Sequence, residues 1–324
     1  MLPGNITCFR NWRESYSTET TGCVPDMALR FSICVCTYRR PTVVDTVGSL
    51  FAQQGVSPSE MEIIVADDDP SRSAWESIRR IAQSAPVPLR YVESGAQNIS
   101  ACRNVCLKTA KADWIAFIDD DQIAEPDWLR EMISTAEKFR ADAVKCYVRG
   151  IYPPETPDWM KAGGPYTYDY GPTGTEIRFG ATCGILFRRD LPGSGELLFD
   201  VALGVMGGED AEFFMRYKAL GGKIVSCRSA IANEVVPVER VTSTYLRTRC
   251  RRHGHIHGRI VLTKKASVGR PLSIMKSVVG VTLTSPYAVV RMVHAAMGCR
   301  MFMKFWMHVG ILDWVLGRDA FYHE

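Results

Sequence analysis

Three carboxylates, Asp119, Asp120 and Asp121, follow directly on the apolar run WIAFI (114–118). Adjacent negative charges repel, so a chain holds them at a strand end only where a cation or water reaches them. A second acidic cluster, Asp67, Asp68 and Asp69, follows MEIIVA (61–66), and Thr37-Tyr38-Arg39-Arg40 follows FSICVCT (31–37). Carboxylate oxygens select hard cations, Mg²⁺ or Mn²⁺, which usually carry phosphates. A third acidic site, Glu209-Asp210 in GGEDAEFFMR, opens a helical pattern, where the N-terminal dipole favours the ionised form. The types and spacing therefore suit cation-assisted chemistry on a phosphorylated substrate, with a carboxylate to take a proton. No GxxxxGK[ST] is present and no GxGxxG follows the first strand, which excludes a P-loop and disfavours a dinucleotide oxidoreductase.

These residues need a frame that brings strand ends together. Short apolar runs at 31–37, 61–66, 89–93, 114–118 and 142–148 alternate with helical spacing at 41–53, 74–84, 98–109 and 126–140. Asn98 supplies a helix cap. Such alternation implies βαβ units and a mostly parallel central sheet flanked by helices. Ligands of such sheets bind beyond the carboxyl ends of the strands, where the three polar clusters fall. Residues 151–178, rich in Pro, Gly and Tyr, read as a long ordered loop of the functional kind. FGATCGILFRRDL reads as a further strand, and 207–223 as a loop entering a helix that ends at Gly221-Gly222.

Bulk composition suits a folded domain with an appendage: 324 residues, 46% hydrophobic and 23% charged. A net charge of +4 is too mild for a nucleic-acid binder. The charge is uneven, because Arg240, Arg247, Arg249, Arg251, Arg252 and Arg259 face a single acid, Glu239, across that segment. The 11 cysteines lack the spacing of a disulfide framework or a zinc finger, so reduced cytosolic thiols are expected. Residues 1–26 are polar and aperiodic, without the pattern of a signal peptide, and read as a disordered extension.

The ordered series SICVCTYRRP, EIIVADDDPS, NISACRN, WIAFIDDDQ and GGEDAEFFMR resembles the inverting family 2 of nucleotide-sugar glycosyltransferases, with the GT-A fold, over about residues 30–254. CTYRRP and NIS-x-x-RN resemble in particular the enzymes of succinoglycan-type exopolysaccharide assembly. The resemblance implies roles residue by residue. Thr37 and Tyr38, with Arg39 beside them, would line the uridine pocket. Asp67 or Asp68, with Asp68 favoured, would accept the uracil imide hydrogen. Arg103 would lie near the nucleotide. Asp119 and Asp121 would be the outer positions of a DxD motif, with Asp120 between them on the nucleotide side. Asp121 would touch the metal, and Asp119 the ribose or metal. Asp210 would be the catalytic base. Glu209, Arg249 and Arg252 would stand on the acceptor or diphosphate side. The implied cofactor is Mg²⁺ or Mn²⁺. The implied partners are a UDP-sugar donor, a lipid-linked oligosaccharide acceptor, the inner membrane surface and other polysaccharide-assembly enzymes.

Three departures from the family pattern stand out, the first being DDDP after the second strand in place of the common DDGS. Gln122 replaces a common Asp. IANEVVPVER offers Glu234 where a metal-binding His often lies. His253, His255 and His257 alternate in the Arg-rich segment without a metal-like partner set, so a basic acceptor-side segment is the expectation. Residues 255–324 form the C-terminal helical region, expected to lie as amphipathic helices on the cytoplasmic face of the membrane with Trp306 and Trp314 at the interface. Its longest uncharged run, Ser277–Val290, is too short to span a bilayer. Two rival readings are a sugar nucleotidyltransferase and a non-catalytic membrane-associated assembly partner. The first needs a Gly-rich basic loop after the first strand, which CTYRRP lacks. Against the second stand the retained Asp119, Asp121 and Asp210.

Overall fold

The computed structural model describes residues 6–8, 29–178, 180–191, 195–262 and 269–318. Within the extension expected to be disordered, residues 6–8 form a short strand; the rest of 1–26 lies outside the described residues. The chain divides into two units, one of residues 1–148, 169–205 and 209–234, the other of 149–168, 206–208 and 235–324.

The first unit is built on a mixed sheet. Its strands are β1 (Ile6–Cys8), β2 (Phe31–Thr37), β3 (Met61–Asp67), β4 (Leu89–Glu93), β5 (Trp114–Phe117), β6 (Gln122–Ala124), β7 (Ala143–Ile151), β8 (Ile185–Arg188) and β9 (Ile224–Val235), in the order β1-β4-β3-β2-β5-β8-β7-β9-β6. The run β4-β3-β2-β5 is parallel. Every residue of β3 is buried, as a strand covered on both faces requires. Beyond β5 the sheet turns antiparallel, because β8 runs against both β5 and β7. β7, opposed to β8 just as β5 is, keeps the direction expected for residues 142–148; the reversed strand is β8, inserted between β5 and β7.

Helices α1 (Val43–Phe51), α2 (Trp75–Ala82), α3 (Ile99–Thr109), α4 (Trp128–Phe139) and α6 (Glu209–Ala219) belong to this unit. The Ala101 amide donates to the Asn98 side chain at 3.1 Å, which fixes the start of α3. The core joins Cys34, Ile64, Cys102, Cys106 and Phe117 to Phe187, Phe199, Phe213, Phe214 and Tyr217. Phe199 stacks on Phe213 at 4.1 Å between centroids. Burying each such ring contributes about 1.5–3 kcal/mol, so α6 and its acidic first turn are firmly anchored.

The second unit holds α5 (Asp158–Gly163), α7 (Ser243–His257), α8 (Gly269–Thr284), α9 (Tyr287–Val293) and α10 (Ala295–Val315). α5 lies within the segment expected to be loop. The sequence-derived boundary at residue 254 falls inside α7. α7 and α10 approach closely through glycines: a Cβ on Gly254 would lie 1.9 Å from the Met307 carbonyl oxygen, and one on Gly310 1.8 Å from that of Arg251. Asp313 of α10 accepts both arms of the Arg251 guanidinium. Met160, Tyr166, Val236, Leu246, Cys299 and Phe302 form the core there.

Candidate active site

Parallel pairing sets three strand ends level. Thr37 of β2 is opposite Asp67 of β3, and Cys34 of β2 is opposite Phe117 of β5. The polar residues that follow are thereby brought to one edge of the sheet. Thr37 Oγ1 donates to Asp120 Oδ2 at 2.8 Å. Arg40, named in the first polar cluster but given no role of its own, donates from Nη1 to Asp120 Oδ1 at 3.1 Å and to Asp121 Oδ2 at 2.5 Å. Its place directly after Arg39 in CTYRRP was the available signal.

The acidic triplet at 67–69 has three separate fates. Asp67 is fully buried and turned inward, accepting from the Asp69 and Ala74 amides and from the Tyr91 hydroxyl. It holds the loop and presents no free oxygen to a ligand. Asp68 accepts from the Ser94 hydroxyl at 2.8 Å and the Ala96 amide at 3.1 Å. Burial raises its pKa, against those donors and the Asn98 amide. Asp69 takes a bidentate pair from Arg39 at 3.1 and 3.2 Å, which holds its carboxyl well below the usual range. Arg39 itself adopts φ 54°, the left-handed region a non-glycine residue occupies at a cost. Tyr38 is exposed beneath the Arg39 guanidinium, whose carbon lies 5.1 Å from the ring centre.

At the end of β5 the carboxyls crowd. Desolvation and the charge of Asp121 push Asp119 up to about 7, with Arg103 opposing and Glu234 adding to the rise. Asp120 is pushed up to about 6 by burial, against Arg40 and Thr37. Gln122 on β6 pairs in register with Glu234 on β9; its amide donates to Glu234 Oε2 at 3.3 Å, and its oxygen accepts from the Asp119 amide. Among the described residues no group of three His, Cys, Asp or Glu is arranged to hold a metal ion. The donor chemistry at 119–121 still fits a hard divalent cation. It is oxygen-only, and burial, with the neighbouring Asp121 charge, has driven the Asp119 carboxyl toward neutrality, which a cation would oppose.

The helical acids complete the site. Arg103 of α3 is buried and donates from Nη1 to Glu209 Oε1 at 2.5 Å, with its guanidinium carbon 5.5 Å from the Phe199 ring centre. Burial works against its charge, but Glu209 and Asp210 outweigh it and keep Arg103 firmly protonated. Asp210 stays partly open to solvent. Burial and the Glu209 charge raise its pKa, and Arg103 opposes the rise.

Lys145 was also missed, although a lysine inside the apolar run AVKCYV was a visible anomaly. It is fully buried on β7, with its ammonium against the Cys183 carbonyl and, at 3.1 Å, the Gly184 carbonyl. Burial alone would lower its pKa; Cys183, Cys146, Tyr170 and Asp119 hold it above the ordinary value. Arg249 and Arg252 lie on α7 of the second unit. Arg249 covers the Tyr166 ring at 4.7 Å and donates to the Tyr168 hydroxyl, and Arg252 is exposed.

The chain is similar to known proteins in sequence and in fold. Residues 32–192 match the family model for glycosyl transferase family 2. The chain is 33% identical over 294 residues to the succinoglycan biosynthesis protein ExoM of Rhizobium meliloti (strain 1021), covering 91% of this chain and 95% of that protein. It is 29% identical over 109 residues, 33% of this chain and 40% of the relative, to the Escherichia coli enzyme WfaP, a UDP-Glc:alpha-D-GlcNAc-diphosphoundecaprenol beta-1,3-glucosyltransferase. The mannosyltransferase PcManGT of Pyrobaculum calidifontis, solved with GDP-Man and Mn²⁺, matches with a TM-score of 0.62 over 90% of this chain and 88% of that one, at 14% identity, a likeness of fold. With the acidic strand ends and the acidic helix in the order that the resemblance required, and with ExoM matched along nearly its whole length, the chain is a GT-A glycosyltransferase and belongs to glycosyl transferase family 2.

Proposed function

We propose that this enzyme moves a sugar, with glucose the first donor to test, from a UDP-sugar to a lipid-linked oligosaccharide, with inversion, at the cytoplasmic face of the membrane. The product would serve exopolysaccharide synthesis. Asp68, Thr37 and Tyr38 hold the uridine, and Arg103 stands on the nucleotide side of Asp210. Asp119 and Asp121 would hold Mg²⁺ or Mn²⁺, which when bound neutralises charge on the leaving diphosphate. Asp210 takes the proton of the acceptor hydroxyl while its oxygen bonds to the anomeric carbon. The bond from that carbon to the β-phosphate oxygen breaks on the opposite face, and UDP leaves.

The observation that carries this reading is the state of Asp210: partly open, its pKa raised, and held beside a buried cation. A general base works best when its pKa approaches the working pH. WfaP, by its name, uses UDP-Glc and an undecaprenol-linked acceptor, which supports the choice of donor and acceptor class. The test is transfer of labelled glucose from UDP-glucose to membrane lipid extract. Asp210→Asn should cut turnover by about 10²–10⁴ with UDP binding intact. Undiminished turnover in that variant removes Asp210 as the base.

A further inference from the structure

Helix α8 is inside out. Leu272, Met275, Val279 and Leu283, three or four residues apart, form an apolar stripe that is 49–69% exposed. The side turned to the protein carries Ser273, Ser277, Gly280 and Thr284 beside the half-buried Ile274 and Val281, and Ser277 is buried. Gly280 lies against α10, where a Cβ would come within 2.4 Å of the His308 ring. The Ser277 and Thr284 hydroxyls donate to the helix's own carbonyls at Ser273 and Gly280. In α9 the exposed side continues through Val289, Met292 and Val293, the last two 85% and 87% exposed. A helix resting on a water-soluble core buries its apolar stripe and wets its polar one. Small residues packed inward with large apolar ones outward is how helices pack in lipid.

Charge identifies the lipid. From Pro271 to Leu312 the chain has Lys276, Arg291, Arg300 and Lys304 and no acidic residue. Lys276, Arg300 and Lys304 are exposed, whereas Arg291 covers Trp159. Among the described residues no single helix is long and apolar enough to cross a bilayer, and α8 and α9 together are bent by 46°. The tryptophans expected at the interface are otherwise engaged. Trp306 packs against the core of the second unit, and Trp314 against Gly258.

We propose that the exposed face of α8 and α9 is a docking surface for an anionic bilayer, sinking its apolar stripe into one leaflet as a bent wedge while Lys276, Arg300 and Lys304 meet the headgroups. This rests on the membrane placement proposed above, and not on the transfer chemistry.

Flotation of the full chain with phosphatidylcholine vesicles, with and without phosphatidylglycerol, tests it. The protein should float with the anionic vesicles, and less as salt rises. Met292→Glu with Val293→Glu, at positions too exposed to disturb folding, should weaken flotation at least about tenfold. Lys276→Glu with Arg300→Glu should reduce the preference for phosphatidylglycerol by about fivefold or more per site. The nucleotide-induced thermal shift should be unchanged in both double variants, which separates failure here from failure of the transferase reading. The proposal is overturned if the chain stays in the lipid-free fraction, or if the Met292/Val293 variant floats like wild type. It is equally overturned if the chain elutes as a dimer that this variant dissolves, since a second copy then covers the face.

Discussion

Arg103 on α3 and Glu209 at the start of α6 are joined at 2.5 Å, with side chains only 10% and 9% exposed. This pair ties α3 to the helix that presents Asp210. Removing one partner of a buried ion pair leaves an uncompensated charge and costs about 3–5 kcal/mol. Arg103→Met should therefore lower unfolding free energy by about that amount in urea. Arg103→Met with Glu209→Gln should recover part of the loss, because the stranded charge is gone. A loss below about 1 kcal/mol in the single variant would show that the pair is not closed in solution.

Adjacent aspartates should respond differently to mutation. Asp67→Ala strands two amides and the Tyr91 hydroxyl in the interior, and should cost about 3 kcal/mol or more of stability. Asp68→Asn should change stability by less than about 1 kcal/mol and weaken UDP binding about tenfold or more. Urea titration and isothermal calorimetry on the two variants check this, and reversed effects would exchange their roles.

The contribution of Asp119 to the stability of the metal-free protein should fall as pH rises toward 7, against the opposite slope of His253. Asp119 is pushed up to about 7, so the folded state keeps a proton that the unfolded chain has already lost above about pH 4. With more protons bound in the folded state, the slope of this contribution against pH is negative across that window and flat above it. Asp119→Asn, neutral throughout, should match wild type near about pH 4, where the side chain is protonated folded and unfolded, and exceed it increasingly toward about pH 8. Equal stability at both pH values would contradict the crowding at this strand end.

Arg40 is bonded to both Asp120 and Asp121, and Asp121 is one of the two residues proposed to hold the cation. Arg40→Ala should bind Mn²⁺ in the absence of nucleotide more tightly than wild type, by a factor on the order of ten. Paramagnetic resonance of free Mn²⁺ reads this directly. Weaker binding in the variant would mean that Arg40 organises the carboxylates instead of competing for them.

Much of the site-bearing half was legible because its signals are local. The runs that became β2, β3, β4 and β5 are short, apolar and bounded by polar residues, and Asn98 caps α3 as its type suggests. β6 escaped notice because QIA is three residues long and carries no period. β9 escaped because Arg228 and Ser229 interrupt its buried alternation. The division of labour within Asp67, Asp68 and Asp69 depends on which partners the loop returns, and no spacing encodes that. α8 shows a further limit. The long uncharged run suggested a surface-lying helix but could not tell which side faces the protein, and the close approach of Gly280 to His308 settles it.

The central claim is that the carboxylates after β5 serve a divalent cation and a uridine diphosphate together. The most direct measurement is a thermal-shift panel of UDP, GDP, ADP and CMP, each with and without Mn²⁺, on wild type and Asp121→Ala. Ligand binding to the folded state raises the midpoint by mass action. The predicted result is a shift with UDP that requires both Mn²⁺ and Asp121. A larger shift with GDP, or a UDP shift that survives both removal of Mn²⁺ and loss of Asp121, would contradict the account.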